Sequence, residues 1–190
     1  MSMRGRFRSA TGQADPASIT TFVLTMFVIT TIFIGMSKLQ EELKQSKPFA
    51  GLEEEVILNL MRTSGFLAAG LVGILKQAGL TATQYNALRI LRGAAPEGLS
   101  CREIGTRMVT RESDITRLLD RLEKRGLISR RRPAGNRRLV LTRITGQGLK
   151  TLAGLDAPVL ESHRQQVGHL GKSRLKALNR TLEALRSKSK

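Results

Sequence analysis

Side chains able to bind a polyanion are concentrated in one stretch of this sequence, residues 100–145. Hydroxyl, carboxyl and guanidinium groups recur there, and these groups hydrogen-bond to base edges and to phosphate oxygens. We expect contacts near base edges from Ser113, Asp114, Thr116 and Arg117, and contacts to phosphates or a minor groove from Arg111, Arg121, Arg137 and Arg138. This is the chemistry of nucleic-acid recognition, provided that the chain holds these groups on one surface.

Two short helices joined by a turn are predicted to position the first of these groups. Ser100 and Glu103 have the spacing of a capping box at the start of the first helix. The second helix is predicted to open at residues 111–114, to cover about 113–125, and to end at Gly126. Its apolar side chains form one inward stripe: Ile115, Leu118, Leu119 and Leu122. The polar groups therefore lie on the opposite, outward face.

A β-hairpin is predicted directly after the second helix. Residues 127–132 and 137–144 have the pattern of strands, and Pro133 to Asn136 have the composition of a turn. Five arginines are expected at the hairpin tip: Arg130, Arg131, Arg132, Arg137 and Arg138. Helix, turn, helix and basic hairpin together predict a winged helix-turn-helix, a mainly α fold with a small β-hairpin wing (α+β).

Leucine-rich helices flank this module on both sides. Leu52 to Ala78 has a helical period, and a helix from Thr145 carries Pro158, which is predicted to kink it before a break at Leu170-Gly171. A short heptad-like seam of leucines follows. These patterns also fit packing within one chain only, but terminal helices separated by the winged module would bury little surface alone, so we predict that both ends pack between subunits. The predicted division is 1–35 as an apolar extension, 36–80 and 146–190 as the helical dimerisation region, and 81–145 as the DNA-binding domain.

Four segments of the sequence resemble the MarR family of bacterial regulators. They are LTATQYNALRILR (80–92), LSCREIGTRM (99–108), DITRLLDRLEKRGLISR (114–130) and NRRLVLTRITGQGLKTL (136–152). The resemblance covers the chain from about Leu52 to its end. It implies a homodimer on a pseudo-palindromic operator, a small-molecule effector in a crevice between the dimerisation helices and the winged domain, and repression as the sign of control.

The wing departs from the family pattern at one position. The family usually has an Asp two residues before its key wing Arg, whereas this chain has Asn136 before Arg138. The resemblance implies an Asp–Arg ion pair that orients the wing, and this chain lacks its acidic partner. A weaker hydrogen bond from the Asn136 side chain is the expected replacement.

Composition narrows the class of partner without choosing one. The formal net charge is +17 over 190 residues, which favours DNA, RNA or an anionic membrane surface. With no Trp and one Tyr, a stacking platform for single strands is not expected. Cys101 is the only cysteine, so no intrachain disulfide forms, in keeping with a cytoplasmic protein. We interpret Cys101 as an ordinary helix residue rather than a redox switch.

Catalytic and metal sites are not expected. His163 and His169, the only histidines, are six residues apart and have no Cys or Asp cluster beside them. No phosphate-cradling glycine loop or nucleophile–base grouping is recognisable. The sequence therefore predicts no enzyme, no cofactor and no metal.

An uncharged apolar segment, residues 17–36, leaves three interpretations open. It is long enough to span a bilayer, and Arg4, Arg6 and Arg8 precede it as in a signal anchor. It also fits a wrongly assigned start, because Met36 opens an ordinary-looking N-terminus, or an additional packed helix or strand. A membrane is a partner only if this segment belongs to the mature protein.

The sequence thus predicts a cytoplasmic, homodimeric, sequence-specific regulator that binds double-stranded DNA and responds to a small molecule. Two other classes remain open: a membrane-anchored DNA-binding or interaction protein, and a non-specific architectural DNA binder that depends on charge alone.

Overall fold

A computed structural model of the protein describes residues 37–133 and 139–187. The predicted N-terminal extension, the predicted turn residues Ala134 to Asn136, and the site candidates Arg137 and Arg138 lie outside the described residues. The chain divides into two compact units, 1–61 and 62–190.

The described part of the first unit is helical. Helix α1 spans Lys38–Glu42, and the Ser37 hydroxyl accepts from the backbone N–H of Gln40 to cap it. The long helix α2, Leu52–Gln77, begins in this unit and continues into the second. The Ala50 N–H donates to the Glu54 carboxylate at 2.7 Å, which defines where α2 begins.

The second unit contains the remaining elements. They are α3 Ala82–Gly93, α4 Cys101–Arg107, α5 Ile115–Lys124, β1 Ile128–Arg131, β2 Leu141–Ile144, α6 Gly146–Val167, a 3₁₀ turn Gly168–Leu170, and α7 Gly171–Ser187. The predicted fold class, mainly α with a small antiparallel hairpin, is confirmed. The core of this unit lies among the end of α2, α3 to α6 and β1, and its fully buried members are mostly leucines: Leu75, Leu88, Leu91, Leu119, Leu122, Leu127 and Leu152.

Local capping chemistry explains why the helices begin where they do. Capping boxes are formed by Thr81 with Gln84 and, as predicted, by Ser100 with Glu103. The Glu103 carboxylate accepts from the hydroxyl and the N–H of Ser100, and these bonds lower the pKa of Glu103 below its usual value. Thr145 caps α6 through the N–H of Gly148, again as predicted.

The hairpin is extended at its base by a third short segment. Arg130 pairs with Thr142 across the two strands, and Thr142 also exchanges both backbone hydrogen bonds with Leu99, at 3.0 and 2.8 Å. Gly98 leads into this bridge with φ +83°, and a Cβ there would lie 2.6 Å from the Thr142 carbonyl oxygen. Only glycine fits that position without strain.

One predicted boundary differs from the observed one. Helix α5 begins at Ile115, so residues 111–113 precede it instead of forming its first turn. The reason is that Asp114 serves as the N-cap, with non-helical backbone angles. Helix α6 contains Pro158 and ends at Val167, close to the predicted break at Leu170-Gly171, and the kink at Pro158 stays a prediction.

Helix α2 exposes many apolar side chains, among them Leu52, Met61, Phe66 and Val72. Among the described residues it is the one helix whose length and composition would suffice to cross a membrane. The same two properties occur in helices that a partner protein covers.

Candidate nucleic-acid interface

Helix α5 is held by an apolar inner face and a polar cap. Leu119 and Leu122 are fully buried, Leu118 is 7% exposed, and Ile115 packs partly buried against the same core. The Asp114 Oδ1 accepts from the backbone N–H of Arg117 at 2.9 Å, which satisfies one of the unpaired donors at the helix start. These contacts fix both the start of α5 and its rotation about its axis.

The outer face of α5 carries the side chains that the sequence predicted there. Thr116, Arg117 and Arg121 are exposed. Among the described residues, neither the Arg117 nor the Arg121 guanidinium has a hydrogen-bond or ion-pair partner in the protein. Both groups are thus available to an anion that approaches this face.

Arg111 and Ser113 lie in the exposed turn between α4 and α5. This turn is anchored to α3, because the Asn86 Oδ1 accepts from the backbone N–H of Val109 at 2.8 Å. Val109 itself is 85% exposed. The anchor was missed by the sequence analysis, since nothing in the sequence links an Asn on one helix to a turn 23 residues away.

A cleft of about 260 Å³ separates the start of α3 from α5. Its lining brings together the hydroxyls of Thr81 and Thr83 and the guanidinium-bearing residues Arg117 and Arg121, with Glu112 and Asp114 alongside. The structure therefore places Asp114, Arg117 and Arg121, three of the predicted residues, around one concave surface. The two carboxylates lower its net positive charge.

The prediction that Arg130 belongs to a basic hairpin tip is wrong. Its Nη1 lies 2.6 Å from Asp120 Oδ1 and 3.6 Å from Glu123 Oε2, and its Nη2 donates to the Thr116 carbonyl at 3.3 Å. The Arg130 backbone N–H also donates to Glu123. Arg130 therefore binds the hairpin to α5. Asp120 and Glu123, one turn apart on α5, were the sequence signal for this contact.

The remaining described arginines of the hairpin have different surroundings. Arg131 and Arg132 are exposed, and their contact with phosphate stays a prediction. Arg131 also lines a shallow cleft of about 240 Å³ with Pro133, Leu141 and Arg143. The Arg143 Nε donates to the Glu97 carbonyl at 2.9 Å, which ties β2 to the loop before α4.

Cys101 is exposed on α4, with its Sγ 3.8 Å from the Thr116 Oγ1 on α5. Within residues 37–133 and 139–187, no three His, Cys, Asp or Glu side chains lie close enough together to hold a metal ion.

A sequence profile described as the MarR family matches residues 80–140. The chain is similar to a MarR transcription factor from Planctomyces limnophilus, with 42% identity over 72% of this chain and 99% of the relative, and a TM-score of 0.56. No protein with a curated description matches the chain.

Two more distant structures are similar over comparable lengths. One is a probable transcriptional regulator from Pseudomonas aeruginosa, with 27% identity, coverage of 71% and 99%, and a TM-score of 0.61. The other is CouR from Rhodococcus jostii RHA1 bound to p-coumaroyl-CoA, with 25% identity, coverage of 72% and 95%, and a TM-score of 0.62.

Proposed function

Because the chain belongs to the MarR family of transcription regulators, whose members are not enzymes, we propose that it binds double-stranded DNA as a homodimer on a pseudo-palindromic operator. The observation that carries the proposal is the outer face of α5, where exposed Thr116, Arg117 and Arg121 stand opposite a buried leucine face. A helix so exposed fits the width of a major groove.

We assign the contacts by side-chain chemistry and position. Ser113, Asp114, Thr116 and Arg117 lie at the start of α5 or just before it, and residues near a helix start reach base edges in helix-turn-helix complexes. Asp114 caps α5 through Oδ1, which leaves Oδ2 as the acceptor for a cytosine amino group. Arg111, Arg121, Arg137 and Arg138 are assigned to phosphates or a minor groove.

Dimerisation is assigned to residues 36–80 and 146–190, with 81–145 as the DNA-binding domain. Support comes from the apolar side chains that α2 and α7 expose, including Phe66 at 65% and Leu185 at 50%. A second copy of the chain would cover such a surface. Sedimentation should give twice the 20.9 kDa chain mass. A protein that partitions into membranes instead would support the membrane-anchored alternative.

A small-molecule effector completes the proposal. CouR, a relative at 25% identity, was solved with p-coumaroyl-CoA. We infer that this chain also binds an organic effector. The effector would bind more tightly to one of two conformations of the dimer, which differ in the separation of their DNA-binding domains, and would thereby raise the population of that conformation. Repression in the cytoplasm is the proposed outcome of DNA binding.

The decisive experiment measures the affinity of the full-length protein for the DNA upstream of its own gene and for random DNA of equal length, both at near-physiological salt. A preference of about a thousandfold, with a two-fold symmetric footprint, is expected. Genome-wide selection of bound fragments covers the case in which the operator lies elsewhere. Equal, salt-labile binding to every fragment would support the non-specific architectural alternative.

A further inference from the structure

Arg125 connects the end of α5 to the end of α2. Its Nη2 donates to the Ala78 carbonyl at 3.0 Å, and its Nη1 donates to the Gly79 carbonyl. Ala78 and Gly79 directly follow the last residue of α2. One guanidinium thus binds two consecutive carbonyls that the helix itself does not use.

The two helix ends are built to make this contact. Gly79 and Gly126 both adopt left-handed backbone angles, with φ of +65° and +69°. At each end the chain folds back on the helix, through Leu80 N–H to Leu75 and Leu127 N–H to Leu122. The carbonyls of Ala78 and Gly79 then point away from α2, and a planar fork of donors can bind both at once. A cation at the C-terminal end of α2 is also favoured by the helix dipole.

Arg125 is the polar contact between the end of α5 and the end of α2, beside the apolar core that Leu75 of α2 shares with the leucines of α5. The extensive packing of α5 is on α3, α4 and β1, all of which belong to the proposed DNA-binding domain. Arg125 instead reaches the end of α2. Helix α2 is in turn hydrogen-bonded to α6: Gln166 Nε2 donates to the Leu67 carbonyl at 3.0 Å. The Ser162 hydroxyl donates to the Gly70 carbonyl at 3.3 Å. The polar contacts therefore form a continuous link from α5 through α2 to α6.

We propose that Arg125 is a positioning residue, which fixes the direction of α5 relative to α2 and thereby sets the half-site separation that the dimer reads. This inference rests on the proposed function, since it requires α2 to belong to the dimer scaffold and α5 to enter the groove. Arg125 contacts no DNA in this proposal. Its substitution should change geometric selectivity and leave the number of phosphate contacts unchanged.

The first test is DNA binding by full-length Arg125→Gln and Arg125→Lys, with Lys124→Gln as the matched control. Lys124 is the exposed neighbouring cation, so its loss removes the same charge without touching α2. The operators should include variants in which one base pair is added or removed between the half-sites. This change rotates one half-site relative to the other by about a tenth of a turn, so the wild type should bind these variants poorly. For Arg125→Gln we expect about tenfold weaker binding at the native spacing, because preorganisation is lost.

The spacing profile separates positioning from simple destabilisation. The penalty for altered spacing should shrink in Arg125→Gln and shrink less in Arg125→Lys, whose ammonium keeps the charge but lacks the two-pronged geometry. Lys124→Gln should retain the wild-type spacing profile. A wild-type profile in both Arg125 variants would overturn the proposal. If the slope of log affinity against log salt concentration falls in magnitude by about one unit in Arg125→Gln, Arg125 contacts a phosphate, and this result would also overturn the proposal.

The second test needs no DNA. Spin labels at Thr63→Cys on α2 and Arg121→Cys on α5, in a Cys101→Ser background and diluted with unlabelled chains, report the distance between the two helices. Arg125→Gln should broaden or shift this distance, and Lys124→Gln should not. An unchanged distance in Arg125→Gln refutes the coupling. If the wild type prefers no operator, the proposed function fails separately, and this distance still decides whether Arg125 fixes α5 on α2.

Discussion

Arg92 and Asp156 form a two-pronged ion pair between α3 and α6. Nη1 lies 2.8 Å from Oδ2 and Nη2 lies 3.0 Å from Oδ1. The hydrogen bond from Arg92 lowers the pKa of the Asp156 carboxyl below its usual value. The pair joins a helix of the proposed DNA-binding domain to a helix of the proposed dimerisation region.

We predict that Asp156→Asn lowers the free energy of unfolding by at most about 1 kcal/mol at pH 7, because both side chains are partly exposed and water screens the pair. Since the folded pKa lies below the unfolded one, the stabilisation is complete above the unfolded value. It is lost as the pH falls through the folded value. Urea unfolding of both proteins from pH 7 to pH 3 measures this, and Glu183→Gln on the exposed face of α7 is the control. A difference that grows on acidification would contradict the prediction.

Arg130→Gln should weaken the attachment of the hairpin to α5. The substitution leaves Asp120 and Glu123 facing each other without their cation, so we expect a loss of about 1–2 kcal/mol of unfolding free energy. Operator affinity should fall while the salt slope stays at the wild-type value, because Arg130 neutralises carboxylates and not phosphates. Arg132→Gln is the control, because Arg132 is exposed and lies two residues after Arg130. We expect it to leave the free energy of unfolding unchanged and to lower the slope of log affinity against log salt. Equal stability of the two variants would refute this role for Arg130.

Arg138→Ala tests the proposed contact of the wing with DNA. Binding should weaken on every DNA sequence, and the slope of log affinity against log salt should fall by about one unit. Arg174→Ala on α7 removes the same charge far along the chain from the interface and should leave the slope unchanged. An Arg138→Ala protein with wild-type affinity and slope would remove Arg138 from the contact set.

Two glycine substitutions should have opposite signs. Gly98→Ala forces a Cβ to 2.6 Å from a backbone oxygen at φ +83°, so we expect destabilisation by about 1–3 kcal/mol. Gly154→Ala, inside α6 with no atom near its would-be Cβ, should stabilise by about 0.5–1 kcal/mol. Thermal unfolding of both variants beside the wild type is the measurement. Destabilisation by Gly154→Ala would indicate that another chain packs closely against that helix face.

The sequence was sufficient for elements whose cause is local. The Ser100–Glu103 box, the leucine face of α5 and the left-handed Gly126 each depend on residues within one or two turns, so their spacing alone predicts them. The start of α5 was predicted too early because residues 111–113 are as polar as a first helical turn, and only the Asp114 cap distinguishes them.

Long-range contacts could not be predicted in the same way. Arg130 and Arg125 are two of many arginines in a basic segment, and spacing does not show which of them meets a carboxylate, a helix end or solvent. Their partners, Asp120 for the first and Gly79 for the second, are set by how the hairpin and α2 come to lie beside α5. Sequence patterns therefore identified the elements of the site, and tertiary packing decided which cations remain available to DNA.

The backbone pairing of Leu99 with Thr142 has a consequence for how such a protein can diversify. Main-chain atoms pair Thr142 of the wing with the segment before α4, and side chains of Arg130 and Arg143 add to the attachment. None of these contacts involves residues 134–138, so we expect substitutions there to leave the attachment in place. Grafting that segment from a relative would therefore test the proposed role of the wing in operator preference, with the attachment left unchanged.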